Sequence, residues 1–157
     1  VRSLLERGEL MAHVLARRPR VNEVRTDAAL RAHADALKAR FLRSADPLHQ
    51  VRFDASLQRT AQALGTLTMV SRAQGVQLKA KREIRIARIF RDAPADLLDM
   101  IVVHELAHLR HREHDKAFYA LCCHMQADYH QCEFDARLWL LARDAGPPAS
   151  ETPDTAA

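Results

Sequence analysis

The residues best suited to chemistry lie in one apolar segment of the chain. His104 and His108 are four residues apart, and Glu105 directly follows the first of them. On an α-helix, side chains four positions apart lie on the same face, so both imidazoles can reach one metal ion. Glu105 is offset around the helix, which places its carboxylate beside a water on the ion rather than on the ion itself. The spacing therefore predicts a metal-activated water with Glu105 as general base.

The neighbours of this motif indicate that its helix is buried. The surrounding positions are apolar: Met100, Ile101, Val102, Val103, Leu106, Ala107 and Leu109. Burying two imidazoles and a carboxylate costs free energy unless they have a partner, and a metal ion is such a partner. The alternative is a solvated helix whose polar residues face water, which the scarcity of polar neighbours disfavours.

A catalytic zinc ion usually has three protein ligands, and His114 is the best candidate for the third. It lies six residues beyond His108 and would point away from the ion on a continuous helix. We therefore predict that the helix ends in the polar run 110–113 and that Asp115 caps a new helix. Zn²⁺ is the expected ion, one per chain, although three histidines can also bind other divalent metals. The alternative ligands are His111, Glu113 and Glu133.

Several other short segments of the chain are informative together with this motif. They are the strand 84–86, the motif 104–108, His114, the pair Phe118-Tyr119, the turn Asp128-Tyr129 and, upstream, Val70-Ser71-Arg72 with Gly75. In these features the chain resembles the YgjP-like metallopeptidase family over most of residues 48–143. The resemblance implies a small zincin-like domain with His104, His108 and His114 as ligands and Glu105 as catalytic base. Some relatives in this family have been assigned pyrophosphatase activity on UTP, so a peptide and a nucleoside triphosphate are both possible substrates.

A long strand with one charged side precedes the motif and could bind the substrate. Lys79, Lys81 and Arg85 alternate with apolar residues, so the lysines and the arginine share one face of the strand. Such a cationic row could bind phosphates or an acidic peptide, and the alternative is an ordinary solvated sheet face. Candidates for stabilising the transition state are Tyr129, His130 and Arg85, with Tyr129 also counted among the substrate-binding residues. Carboxylates that could orient a ligand imidazole are Asp96, Asp99, Asp128 and Glu133.

Composition limits the remaining classes of function. The chain has 157 residues, of which 48% are hydrophobic, and this is enough for a single core. It contains neither a membrane-length apolar run nor a signal-peptide pattern, which predicts a cytoplasmic protein without a membrane partner. A net charge of +4 suggests a nucleic-acid-binding module, but the charge is dispersed and aromatic residues make up only 5%, so this hypothesis is the weakest.

The three cysteines do not form a zinc or disulfide pattern. Cys122, Cys123 and Cys132 are odd in number and include no Cys-x-x-Cys pair, which favours reduced thiols. The alternative is a second, structural zinc site formed with His124 and His130.

These elements predict an α+β fold, in which a short, mostly antiparallel sheet packs on the metal-binding helix between N- and C-terminal helices. Helices are expected at 4–16, 27–42 and 54–64, and strands at 51–53, 66–71 and 76–90. Ala93-Pro94 opens the metal helix, and the last helix is expected to bury Phe134, Leu138, Trp139 and Leu141. The predicted parts are an N-terminal helical part at 1–47, a hydrolase core at 48–145 and a disordered tail at 146–157.

Overall fold

A computed structural model of the chain describes residues 1–59, 65–74 and 77–146, with side chains for 1–57 and 81–146. In these residues the fold contains six α-helices and three strands, which confirms the α+β class. The predicted end of a helix at Leu64, the turn at Gly75 and the tail from residue 147 lie outside the described residues.

Three helices form the N-terminal part. They are α1 (Arg2–Glu6), α2 (Leu10–Arg17) and α3 (Asp27–Phe41). The prediction of one helix over 4–16 is wrong, because Gly8 adopts a positive φ of 69° and ends the first helix. The helix predicted from residue 27 is confirmed, and the Thr26 side chain caps it by accepting a hydrogen bond from the backbone N–H of Ala29.

The sheet has the order β1-β3-β2 and is mixed in direction. Its strands are β1 (Leu48–Asp54), β2 (Gly65–Gln74) and β3 (Gln77–Ala87). β2 and β3 are antiparallel, whereas β1 and β3 are parallel, so the expectation of a mostly antiparallel sheet needs correction. The reason is topological: successive strands β2 and β3 pair as a hairpin, while β1 adds on the far side of β3 in the same direction. A 3-10 helix at Ala55–Arg59 replaces the first part of the helix predicted over 54–64.

The outer edge of β1 is covered by α3. The Asp27 carboxylate accepts a hydrogen bond from the Phe53 N–H at 2.9 Å. The Arg31 guanidinium donates to the carbonyls of Leu48 and His49 at 2.9 and 3.1 Å. These side chains satisfy backbone groups that an edge strand otherwise exposes. β2 therefore forms the other edge of the three-stranded sheet.

The central helix of the core is α4 (Ala95–Ala107), which carries the His-Glu-x-x-His motif. Its buried residues pack in one cluster with Ile84 and Ile86 of β3, and a 3-10 helix at Arg88–Asp92 joins the two elements. The burial predicted for this helix is confirmed. Because nearly every face of α4 contacts the core, its motif is held in a rigid element.

Two further helices complete the fold: α5 (Lys116–Met125) and α6 (Tyr129–Ala145). The motif helix ends before His114, as predicted, but at Ala107 and not in the run 110–113. The predicted cap is confirmed, since the Asp115 side chain accepts from the Phe118 N–H at 2.9 Å. The prediction for the last helix is partly wrong, because Phe134 and Leu141 are 46% and 41% exposed. The α6 residues that are buried are Tyr129, Cys132, Asp135, Ala136, Leu138, Trp139 and Ala142. None of the helices in the described ranges has the length and apolar character needed to cross a membrane.

The Asp115 cap should make a measurable contribution to stability. We expect Asp115→Ala to lower the free energy of unfolding by about 1 kcal/mol, because it removes the acceptor for an N–H in the first turn of α5. Urea denaturation measures the change. The control is Asp144→Ala, which removes an exposed carboxylate from the last turn of α6, where a negative charge is not favoured. Equal stability of D115A and wild type would contradict the capping role.

Candidate metal centre

The end of α4 and the following turn bring three imidazoles to one point. His104 lies in the last turn of α4, His108 is its C-cap residue, and His114 comes just before the cap of α5. One ring nitrogen from each of the three lies within 4.8 Å of the others. The Nε2 atoms of His108 and His114 are 3.0 Å apart. These three residues form the candidate metal centre.

The hydrogen bond at His104 fixes which of its ring nitrogens is available. Its Nδ1 lies 2.7 Å from the hydroxyl of Tyr129, and that hydroxyl donates to Glu133 Oε2 at 3.1 Å. Since the single hydroxyl proton goes to Glu133, the tyrosine oxygen accepts from Nδ1–H of His104. The Nε2 atom of His104 is then unprotonated and presents a lone pair. Imidazoles that bind a metal through one ring nitrogen typically donate a hydrogen bond from the other.

His108 is held in the same tautomer by a backbone group. Its Nδ1 lies 2.9 Å from the carbonyl oxygen of His111, which can only accept. The proton of His108 is therefore on Nδ1, and Nε2 is free of it. His111, the predicted rival ligand, thus contributes its carbonyl, while its ring is outside the three-imidazole group. Of the described carboxylates, Glu113 and Glu133 are also outside that group.

Burial favours the neutral imidazoles that a metal requires. It lowers the pKa of His104 to about 4, and the nearby rings of His108 and His114 act in the same direction. Burial also lowers the pKa of His108, with a further contribution from His114. Because a histidine ligand must be deprotonated at the binding nitrogen, these surroundings suit metal binding at neutral pH.

The donor set fits a divalent ion of the zinc type. Two imidazole nitrogens at about 2.0–2.1 Å from a tetrahedral ion lie about 3.4 Å apart, close to the 3.0 Å between His108 and His114. Two imidazole lone pairs at that distance repel each other unless a cation or a proton lies between them. Three imidazoles with one direction left open are also the donor set of several catalytic zinc sites. The residues present therefore fit a metal ion.

The Phe118 ring packs against all three imidazole rings, a contact that the sequence did not suggest. Its ring centroid lies 4.9 Å from that of His104, 4.6 Å from His108 and 4.9 Å from His114. The side chain is fully buried. It restricts the imidazoles to one orientation and separates them from the interior of the protein. The signal in the sequence was indirect: Phe118 is at the third position of a capped helix that follows the last histidine.

Glu105 lies next to His104 on α4 and is only 4% exposed. Its carboxylate is outside the group of three imidazoles that could hold a metal ion, in keeping with a role other than metal binding. The position next to the first ligand and its burial suit a carboxylate that handles a proton in a water-poor site.

Among the predicted substrate-binding residues, the described contacts connect Tyr129 to an imidazole. Tyr129 contacts His104, as described above. Arg85 instead lies near Asp54, at 3.6 Å, and Lys81 shares its face of β3. That face is opposite to Ile84 and Ile86, which pack in the core with α4. For Lys79 the structure describes only the backbone, in β3.

Of the four carboxylates that could orient an imidazole, one is connected by hydrogen bonds to a histidine of the candidate metal centre. This is Glu133, which is connected through Tyr129 and is itself paired with Arg137 at 3.1 Å. The others interact with basic groups elsewhere: Asp96 with Arg18 and Arg20, Asp128 with Arg18, and Asp99 with His33 and Arg20. Sequence alone could not choose among them, because the contact depends on how α6 packs beside α4.

The cysteines show no sign of a second metal site. Cys122 and Cys132 are buried, and burial raises the pKa of each thiol to about 12. Without a metal, these two thiols stay protonated at neutral pH. Within the described residues, the three-histidine group contains no cysteine.

Fold and site together define a small α+β protein in which two half-buried histidines and one exposed histidine meet, with a glutamate next to the first of them in the chain. The chain belongs to the YgjP-like family: the model described as "YgjP-like, metallopeptidase domain" matches residues 16–135. This confirms the resemblance in the sequence. The chain is also similar to the UTP pyrophosphatase of Escherichia coli (strain K12), with 52% identity over 147 residues, which are 93% of this chain and 87% of the relative. The comparison with solved structures gave no match.

The Tyr129 hydroxyl should matter for metal affinity. We expect Tyr129→Phe to weaken metal binding about 10- to 100-fold, because His104 loses the acceptor that fixes its tautomer. Competition with a chromogenic chelator measures the affinity. Tyr119→Phe is the matched control, since the Tyr119 ring lies 6.2 Å from that of Tyr129 and makes no described hydrogen bond to a histidine. Equal affinity of Y129F and wild type would show that the hydroxyl does not orient the imidazole.

Proposed function

We propose that this protein is a zinc-dependent hydrolase that cleaves a phosphoanhydride bond of a nucleoside triphosphate, with UTP as the first candidate. In this proposal His104, His108 and His114 hold the ion, and Glu105 is the general base. The proposal rests on one observation above all. Three imidazoles, those of half-buried His104 and His108 and of exposed His114, converge on one point, and the first two are held in the tautomer that directs Nε2 there.

A bound Zn²⁺ ion would supply Lewis acidity, lowering the pKa of water toward about 7 and polarising a substrate oxygen. The chain's own residues have separate tasks. Glu105 accepts a proton from the attacking water and can return it to the leaving group. Tyr129 and the His111 carbonyl keep the rings of His104 and His108 oriented throughout. Phe118 excludes water from the side of the imidazoles that faces the core.

Hydrolysis of UTP in this scheme joins the water oxygen to the α-phosphorus and breaks the bond to the bridging oxygen. Pyrophosphate leaves with the electron pair of that bond, and UMP is the other product. The support for this substrate is the name of the relative, which is 52% identical over nearly the whole chain. Lys79, Lys81 and Arg85 stay predictions as groups that neutralise the triphosphate. The prediction for Arg85 is tested by the variant Arg85→Gln, for which we expect a higher KM for UTP because a positive charge is lost.

Peptide hydrolysis is the second candidate function. It is favoured by the description of the matching family as a metallopeptidase domain. It is also compatible with the sheet, since β2 is an edge strand and an extended peptide can pair with such an edge. In that reaction Glu105 would pass the proton to the leaving amine instead of a phosphate oxygen.

A direct comparison of substrates tests the proposal. Zinc-loaded protein is incubated with UTP and, separately, with an unfolded protein, while UMP, pyrophosphate and new amino termini are measured. We expect equal amounts of UMP and pyrophosphate, and loss of both products after chelation of the metal. Products from the unfolded protein alone would favour the peptidase. No product from either substrate with stoichiometric zinc bound would overturn the proposal.

The cytoplasmic location stays a prediction, which fractionation of cells would test.

A further inference from the structure

Four arginines from three parts of the chain line one cavity at the end of the molecule where α4 begins. The cavity has a volume of about 280 Å³, and its lining residues are Arg25, Arg88, Ile89, Arg91, Asp92 and Arg143. Arg25 precedes α3, Arg88 and Arg91 belong to the 3-10 helix before α4, and Arg143 lies in the last turn of α6. Four guanidinium groups thus share a cavity with one carboxylate.

That carboxylate balances little of the positive charge. One oxygen of Asp92 accepts from Arg25 at 3.0 Å, and the other lies 3.9 Å from Arg143. Arg91 has a buried Nε with no hydrogen-bond partner among the described residues. A buried donor without an acceptor costs free energy, so the position favours an acceptor other than the described residues. Among the residues that the structure describes, the four arginines and one aspartate that line this cavity carry a net charge of +3, compared with +4 for the whole chain.

A second cavity adjoins the same arginines. It has a volume of about 370 Å³ and is lined by Arg25, Arg88 and Arg91 together with Asp27 and apolar or hydroxyl-bearing residues. Asp27 is engaged with the backbone N–H of Phe53. The three arginines therefore line two adjoining concave spaces, where Asp27 already accepts from a backbone N–H and Asp92 pairs with Arg25 and Arg143.

The cluster is separate from the candidate metal centre. α4 begins at Ala95, and His104 follows nine residues later. At about 1.5 Å per residue, the two ends of this stretch are about 13 Å apart along the helix axis. A ligand in the arginine-lined cavities would not occupy the position of the metal.

We propose that Arg25, Arg88, Arg91 and Arg143 form an anion site that takes a compact phosphate group, such as pyrophosphate or the phosphate chain of a nucleotide. Planar guanidinium groups pair with phosphate oxygens in a bidentate manner, and several of them match a multiply charged anion. The concave shape favours a small anion, because a nucleic-acid backbone requires an extended basic surface. This site does not depend on the hydrolase activity proposed above.

Calorimetric titration with inorganic pyrophosphate in chelator-containing buffer tests the proposal. The proteins are wild type, Arg88→Gln/Arg91→Gln and a matched control, Lys38→Gln/Arg43→Gln, which removes two positive charges from another cavity. Substitution of Arg91 should not disturb the fold locally, because its backbone carbonyl, not its side chain, accepts from Asn22 and Arg25. Melting temperatures of the three proteins verify this.

We expect R88Q/R91Q to bind pyrophosphate at least about tenfold more weakly, because it loses two charge-assisted interactions. The control should stay within about twofold of wild type. Equal affinity in all three proteins would place pyrophosphate elsewhere, for example among the histidines, and overturn the proposal. Equal loss in both variants would show a general charge effect and also overturn it. Tighter binding of a short DNA duplex than of pyrophosphate, lost in R88Q/R91Q, would contradict the choice of a small anion.

Discussion

Glu105→Gln is expected to lower the turnover of UTP by about 10²- to 10⁴-fold, the range that a general base contributes. Glutamine has nearly the same shape as glutamate and fits the same buried position on α4. It cannot accept a proton from water. Because Glu105 is outside the group of three imidazoles, the variant should keep one metal ion per chain.

The informative measurement combines turnover with metal content on the same preparation. Glu6→Gln, an exposed substitution in α1, is the control for a change in charge and should retain wild-type turnover. A variant that is inactive but fully metal-loaded supports the proposed base. Wild-type turnover in E105Q would contradict it. Loss of metal together with activity would mean that Glu105 acts by stabilising the centre.

Arg18→Met should produce the largest loss of stability, about 3–5 kcal/mol in the free energy of unfolding. Arg18 is 9% exposed and donates from Nε to Asp135, which is fully buried, at 2.8 Å. It also donates to Asp128 at 2.6 Å. Burial alone would lower the pKa of Arg18, but these two hydrogen bonds raise it above its usual value. Methionine fills a similar volume and leaves the buried carboxylate of Asp135 without its main partner.

Urea denaturation of R18M at neutral pH measures this loss. The matched control is Arg7→Gln, whose salt bridge to Glu9 is exposed and should contribute less than about 1 kcal/mol. A second variant, Arg18→Met/Asp135→Leu, should recover part of the stability, because a buried ion pair can be replaced by apolar groups at little cost. If R18M were as stable as wild type, the buried pair would not hold α6 against the N-terminal helices.

Patterns among residues that are close in the sequence were enough to predict a metal-dependent hydrolase site. The spacing of His104 and His108, the apolar positions around them and the cap at Asp115 involve residues within a few turns of each other. Helix periodicity and capping are governed by such local contacts, so they can be inferred without coordinates. The break required between His108 and His114 followed from helical geometry, and the structure contains it.

Contacts across long chain separations were decided by packing. The hydroxyl that orients His104 comes from Tyr129, 25 residues away, and the buried pair of Arg18 and Asp135 spans 117 residues. The choice of Glu133 over three aspartates depends on the rotation of α6 beside α4. The same rotation exposes Phe134, which the apolar pattern had assigned to the core.

For this protein, the sequence by itself determined the type of chemistry and its main residues, because a metal-binding helix has a characteristic local spacing. Only the tertiary structure decided the parallel pairing of β1, the tautomers of two imidazoles and the gathering of arginines before α4. The physical reason is that these features arise between elements. Their geometry follows from how whole helices and strands pack, which no short segment specifies.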